Sequence, residues 1–488
     1  MQPDPHHHGR VRMKKMHVSK GPALILIVAL ALIVTAFFVV SPGEQAPSGK
    51  IVFTQIPVES TSGAEQSDWR FPEQSRIVAL GEDGKVEVLT KSFYAARSPE
   101  ISFDGLKLLF SGKKKADDPW QIWEMDLKGG EARKLSDTLT GCTDPSYLPG
   151  EDGVVFSALS AEGQHALYTV KLDGCCLDRI TYRPESDFST SIMRDGRVLY
   201  ATGAGSASDL PPSLFAIIYD GTKDELFYRP AEGKGYAGRA REVAKELIVF
   251  VESESAGLAG GKLVSVELKR PLKTRVDLSD GDPGRFHSLY PLGEKSLVVA
   301  YRSSESEPYG LYQFDLETRS IGEKVYSDPE YQSIEPVVAV RRPRIMAFPS
   351  IVDKTYDVGL LYGIDADFSS LPPADPSQVG TRSSTLRILT LDGVLGEVPL
   401  EADGSFNLEV PADTPLRFET MDEQGRVVRG PSDWVWVRPF DQRGCIGCHE
   451  DKELAPPNVL PLAITKPHHS LRKSAGNELA ASGDSQGM

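Results

Sequence analysis

The sequence has no surplus of positive charge. Lys and Arg total 54 against 69 Asp and Glu, a net charge of -15. That balance excludes nucleic acid as a partner, because gripping phosphates requires basic patches. Between 51 and 340 there is no catalytic-triad spacing, no phosphate-binding loop and no metalloprotease helix. Cysteine is scarce, five in all. Two of these lie in one short motif near the C-terminus. Cys142, Cys175 and Cys176 remain, and an odd number leaves at least one thiol without a disulfide partner. Pairing of Cys142 with either neighbour is open, as is simple packing. Long apolar runs are equally scarce. Ala23 to Val40 is the one stretch long enough to cross a bilayer. Arg10, Arg12, Lys14, Lys15 and Lys20 precede it, which keeps the N-terminus cytoplasmic. No small-x-small cleavage site follows, so the run reads as an uncleaved signal anchor, with a cleaved signal as the alternative.

What is abundant is turn material. With 44 Gly, 35 Pro and 40% hydrophobic residues, the composition fits a turn-rich β protein of two or three units. Past a linker at 41–50 the chain repeats at roughly 45–50 residues, a period typical of propeller blades. The clearest copy opens Ser98-Pro99-Glu100-Ile101-Ser102-Phe103-Asp104-Gly105 and continues through Gln121 to Gly130. A second opens at Asp144-Pro145, and weaker copies start near Asp195, Leu247 and Leu297. Asp-Gly and Gly-Gly pairs supply the φ > 0 residues that tight hairpins need. One blade cannot bury both its faces, so the copies must pack around an axis. These repeats resemble the TolB-type propeller repeat. The first copy, at Ile51, begins on a second strand, and a stray first strand appears at Ile334 to Val340. Pairing the two closes a ring of six blades; counting Ile345 to Asp365 as a blade gives seven.

Residues 341–384 read as a linker with junction strands. From 385 to 465, short alternating strands joined by Asp392-Gly393, Asp403-Gly404 and Pro411-Ala412-Asp413 predict a small β-sandwich-like module. Trp434 and Trp436 alternate on a strand just before Gly444-Cys445-Ile446-Gly447-Cys448-His449, where they either wall a ligand or fill the core. Residues 466–488 read as a flexible tail.

Two cysteines three apart followed at once by histidine is the attachment pattern of a c-type haem. Cys445 and Cys448 would form the thioethers and His449 would be the proximal iron ligand. A zinc half-site using Cys445, Cys448 and a histidine, a redox dithiol and a plain disulfide are the competing readings. The predicted anchor places the bulk of the chain on the periplasmic side of a bacterial inner membrane, where covalent haem attachment belongs. For the second axial position the sequence offers His468 and His469, about twenty residues on, or His287 from the propeller.

The run from Gly396 to Phe406, Val410 to Leu416, Arg443 to Asp451 and Leu454 to Asn458 resembles hydrazine synthase alpha-subunit-like proteins in their middle domain. The resemblance implies a propeller followed by a module carrying haem c through Cys445, Cys448 and His449. It also implies zinc between the motif histidine and a propeller cysteine, for which Cys142 is the candidate. The family's full subunit continues into a further haem-bearing domain and has a haem-contacting tyrosine shortly after the motif. Here a single Cys-x-x-Cys-His is present, and no tyrosine follows His449. Three functions are consistent with these features. The first is electron transfer by a membrane-anchored mono-haem protein, with the propeller docking a redox partner protein. The second is a haem enzyme acting on a small nitrogenous or peroxide-like substrate. The third is a binding or assembly propeller with structural haem or zinc.

Overall fold

The computed structural model describes residues 49–61, 70–81, 83–203, 212–231, 233–244, 246–253, 259–369, 372–447 and 459–472. The apolar run at 23–40 lies outside them, as do Cys448, His449 and the tail beyond 472. Among the described residues no helix is long and apolar enough to cross a membrane.

From 51 to 338 the chain is built of four-stranded antiparallel sets. One set, for example, runs Ala95–Ile101, Lys107–Lys113, Gln121–Asp126 and Arg133–Lys134. Its first hairpin shows why the Ser-x-Asp-Gly opening recurs. The Asp104 carboxylate accepts from the Leu106 amide at 2.9 Å, and the Ser102 hydroxyl accepts from the Lys107 amide at 2.9 Å. Gly105 takes the left-handed φ of 77° that ends the turn. A side chain there would also collide with the backbone of Val340, 2.8 Å from an added Cβ.

Four such sets are separate sheets, and an eight-stranded sheet joins two further sets through the single pair Gly261–Phe286. The first set is completed from the far end of the repeat region. Tyr331–Val338 pairs antiparallel with Ile51–Pro57, from Ile51 opposite Val338 to Pro57 opposite Tyr331. That is the pairing expected for the stray strand at 334–340, and it closes the ring. Buried Val, Ile, Leu and Phe fill the spaces between neighbouring sets, each contributing about 1.5–3 kcal/mol.

The first strand of each set carries a bulge, and at four of these the bulged residue is a non-glycine with positive φ: Ser98, Asp144, Ser189 and Glu335. Such residues are uncommon and signal a backbone held by its surroundings. Here the surroundings are one another. The Ser98 hydroxyl donates to Asp144 at 2.8 Å, the Ser189 amide donates to Asp144 at 2.8 Å, and the Ser98 amide donates to Glu335 at 2.8 Å. The bulges meet on the axis and leave a cavity of about 20 Å³ there, room for about one water molecule.

After 338 the chain forms a two-layer sandwich. One sheet orders Gln442–Cys445, Val358–Gly363, Phe406–Pro411 and His469–Ser470; the other orders Gly393–Pro399, Thr385–Thr390, Arg417–Met421 and Val427–Arg429. Leu361, Ile388, Phe406, Leu408, Val410 and Phe418 are among the side chains packed between them. Val358–Gly363, within the stretch that a seven-bladed count would give to the propeller, is a central strand of this sandwich.

Candidate functional site

The motif is held by its own backbone. Gln442–Cys445 lies parallel to Val358–Gly363, with Cys445 opposite Gly363. The Ile364 amide donates to the Cys445 carbonyl at 3.1 Å and the Asp365 amide to the Ile446 carbonyl at 3.2 Å. Both glycines of Gly444-Cys445-Ile446-Gly447 are required by close approach. A Cβ on Gly444 would sit 2.7 Å from the Tyr362 ring, and one on Gly447 would sit 1.8 Å from the Phe368 carbonyl oxygen. Cys445 is thereby fixed, half-buried, at the end of a strand against the sandwich core.

The chain returns to the same end of the sandwich at 459–465. There the Leu462 amide donates to Asp403 at 2.8 Å and the Ala463 amide to the Ser405 hydroxyl at 2.9 Å. The loop carrying Asp403 and Ser405 abuts Asp365, because the Ala366 amide donates to the Gly404 carbonyl at 2.9 Å. Val459, Leu460, Leu462 and Ile464 are all exposed. A run of exposed apolar side chains beside a pinned thiol suits a large apolar ligand bonded through sulfur. The residues present therefore fit a covalently attached haem: Cys445 supplies one thiol, and 459–464 supply apolar cover.

The module is clamped to the propeller by Arg438, which is fully buried. Its guanidinium donates to Asp178 and Asp413 at 2.8 Å each, to the Asp220 carbonyl at 2.9 Å, to the Arg179 carbonyl at 3.0 Å and to the Tyr182 hydroxyl. Burial alone would lower its pKa, but Tyr182, Asp413 and Asp178 outweigh that and raise it. Room for the side chain comes from Gly221, where an added Cβ would lie 2.8 Å from the Arg438 Cδ. Trp436 donates its indole N–H to the Gly221 carbonyl at 3.2 Å and packs beside Tyr182. Arg443, two residues before Cys445, donates to the Asp224 carbonyl at 2.6 Å. The motif strand is thus tied to both bodies. Trp436 belongs to this junction, and Trp434 lies under the Arg417 guanidinium at 4.6 Å.

The other residues singled out in the sequence are not gathered at Cys445. His469 lies on the strand at the opposite edge of the sheet, where it pairs with Leu408, three strand spacings or roughly 14 Å from the Cys445 strand. His468 is exposed beside Glu409 at 3.5 Å. His287 is buried in the propeller against Tyr309, and burial, with Arg97 and Arg302 nearby, lowers its pKa to about 4 despite Glu335. Cys142 is fully buried in the propeller core, where burial pushes its thiol up to about 12, opposing the thiolate that a zinc ligand must be. Among the described residues no cluster of three or more His, Cys, Asp and Glu is arranged to hold a metal ion.

The axis is a second concentration of charge. Glu335 is paired with Arg97, and Glu100 accepts from Arg241 at 2.8 Å, Arg342 at 3.1 Å and Arg239 at 3.2 Å. Burial opposes ionisation of both glutamates, yet the arginines hold each at about 2. Of these residues, Glu100 and Glu335 open the blade strands at 98 and 334 and Arg342 lies in the basic run that starts the linker; Arg97, Arg239 and Arg241 carry no sequence signal. At the junction, Trp436, Asp413 and Arg443 lie in stretches with a sequence signal, whereas Arg438 does not, since a single arginine carries no spacing signal.

A family profile described as the hydrazine synthase alpha subunit middle domain matches residues 368–450. The curated hydrazine synthase subunit alpha of Kuenenia stuttgartiensis is 24% identical over 545 aligned positions, covering 83% of this chain and 66% of that protein. This chain thus spans just under two thirds of the relative's length. The solved Kuenenia stuttgartiensis hydrazine synthase superposes with a TM-score of 0.73 at 23% identity, over 86% of this chain and 72% of that one. TolB from Acinetobacter baumannii aligns at a TM-score of 0.43 and 15% identity, over 65% and 71%. The matched profile covers the pinned motif, and the wider match takes in the propeller that the motif strand is tied to. Residues 368–450 thus match the hydrazine synthase alpha subunit middle-domain family, and the chain as a whole is similar to a hydrazine synthase alpha subunit.

Proposed function

We propose that this chain is a haem-c-bearing enzyme subunit, with Cys445 and Cys448 forming the thioethers and His449 facing the iron, and that it acts on a small nitrogenous substrate. One observation carries the reading: Cys445 is pinned at a strand end beside the exposed Val459, Leu460, Leu462 and Ile464. Bound there, the haem supplies one-electron chemistry and an iron site for a small ligand. The chain's part is to fix the attachment strand through Arg438 and Arg443, to cover the macrocycle with apolar side chains, and to exclude water from it. The six four-stranded sets form six blades on this reading, and the propeller is the docking face for a redox partner protein. The run at 23–40 anchors the chain in a bacterial inner membrane with the module on the periplasmic side. Zinc has less support, because Cys142 is buried.

The test is expression in a host with working cytochrome maturation. The purified chain should be heavier than its amino-acid sum by one haem and should give a pyridine haemochrome spectrum that C445S/C448S loses. A mass equal to the bare polypeptide rejects the proposal. High-spin iron that binds carbon monoxide or nitric oxide supports enzyme chemistry; six-coordinate low-spin iron inert to both reassigns the chain to electron transfer.

A further inference from the structure

Cys175 and Cys176 play no part in the function proposed above, and they occupy an unusual position. They follow Asp173-Gly174 in the hairpin between His165–Lys171 and Asp178–Arg179. Gly174, with φ 85°, starts the turn, and its amide donates to the Lys171 carbonyl at 2.8 Å. The Lys171 amide donates to the Cys175 carbonyl at 3.0 Å, and the Cys175 amide donates to the Asp173 carboxylate at 2.9 Å. Cys176 is then forced into the left-handed region at φ 62°. The outcome is two exposed thiols whose sulfurs are 2.7 Å apart, closer than two sulfurs in ordinary contact.

Cys142 is out of reach of both. Cys142 precedes the strand Thr143–Tyr147 and lies at the far end of the same sheet, beside Leu159 and His165, whereas the pair lies beyond Lys171. The seven-residue strand between them spans roughly 20 Å. A disulfide from Cys142 to either residue, left open by the sequence, is thereby excluded in this fold.

We propose that Cys175–Cys176 is a redox-active vicinal dithiol that exchanges with external disulfides. One cysteine, as thiolate, attacks a disulfide R–S–S–R and releases R–S⁻; the second then displaces the other R–S⁻, closing a Cys175–Cys176 disulfide. The pair loses two electrons and two protons, and R–S–S–R becomes two R–SH. Adjacent Cα atoms are about 3.8 Å apart across a trans peptide, short of the roughly 4.4–6.8 Å usual for disulfides. The closed ring is therefore strained and readily reduced, which suits a reversible site over a structural staple. Cys176 and then Asp173, hydrogen-bonded to Cys175, push the Cys175 thiol up to about 12, so Cys176 makes the attack and Cys175 closes the ring. Asp178, two residues on, is the carboxylate that receives Arg438, so the site lies at the root of the junction.

The full chain is equilibrated in glutathione buffers from fully reduced to fully oxidised, acid-quenched, alkylated with iodoacetamide and digested with trypsin, which releases residues 172–179. The expected result is a peptide with two alkyl groups in reducing buffer and, in oxidising buffer, an unalkylated peptide lighter by two hydrogens than its dithiol form. C175S, on an exposed turn, should never give the lighter species and should accumulate one glutathione on Cys176 instead. Two alkyl groups throughout the series, or stable glutathione adducts on the native pair without ring closure, would overturn the proposal.

Discussion

The propeller axis and the propeller–module junction both bury arginine, but by opposite means. On the axis, carboxylates from several blades meet arginines at close range, and Glu100 and Glu335 stay ionised down to about pH 2. At the junction Arg438 leans on backbone carbonyls and a tyrosine as much as on Asp178 and Asp413. There burial wins over the arginine and raises the pKa of Asp413; it raises that of Asp441 also. The axis is an ionic knot that keeps a ring in register, whereas at the junction Arg438 is shared between two carboxylates, two backbone carbonyls and a tyrosine. A buried charge with many opposite partners fixes geometry, and one with many neutral acceptors fixes a docking orientation.

The comparison can be broken most forcefully on the axis. Glu335→Gln removes the carboxylate paired with the buried Arg97 and should cost about 3–5 kcal/mol, read as a lower midpoint in urea unfolding of the propeller. Next is Arg438→Met, which leaves Asp178 and Asp413 facing an apolar chain. It should cost about 3 kcal/mol and appear as faster amide exchange in 442–445 while the blade strands stay protected. If the blades lose protection equally, the junction is part of the propeller's own stability and the distinction fails.

Acid separates the two regions further. His287 titrates near 4 in the folded chain against about 6.5 unfolded. The unfolded chain therefore takes the proton first, and stability falls as pH drops from about 6.5 towards 4, by up to roughly 3 kcal/mol. His287→Phe should flatten that segment of the stability–pH curve. The glutamates add a second loss below about pH 4.5, complete near 2. Asp413 and Asp441 work the other way, since groups with raised folded pKa values gain stability on protonation. The smallest effect expected is at the Ile218–Gly221 turn of the junction. Gly221→Ala, at φ 86° and against the Arg438 side chain, should cost about 1–2 kcal/mol, seen as a lowered thermal midpoint.

Much of the architecture was legible because it rests on local chemistry. The Ser-x-Asp-Gly turn at 102–105 announces itself, and the unpaired reading of 51 and 334 was enough to predict ring closure. The Cys-x-x-Cys-His motif stands out in the sequence for the same reason: two residue types at one fixed spacing. What escaped was set by long-range packing. Val358–Gly363 looks like a junction strand because its partners, at 406–411 and 442–445, are far along the chain. Arg438 gives no pattern until Asp178, Asp220 and Asp413 are brought around it. The histidines at 468 and 469 were near the motif in sequence but are set apart by two intervening strands.

The pairing of Ile51–Pro57 with Tyr331–Val338 has a consequence for biogenesis. Thr54 and Glu335, hydrogen-bonded at 2.7 Å, are separated by 281 positions, so the opening strand of the propeller waits with a bare edge until the rest of the propeller has been made. Such an edge invites other chains to pair with it. A polypeptide cut short before 331 would expose that edge permanently, and its fate should be aggregation instead of a smaller, still soluble ring.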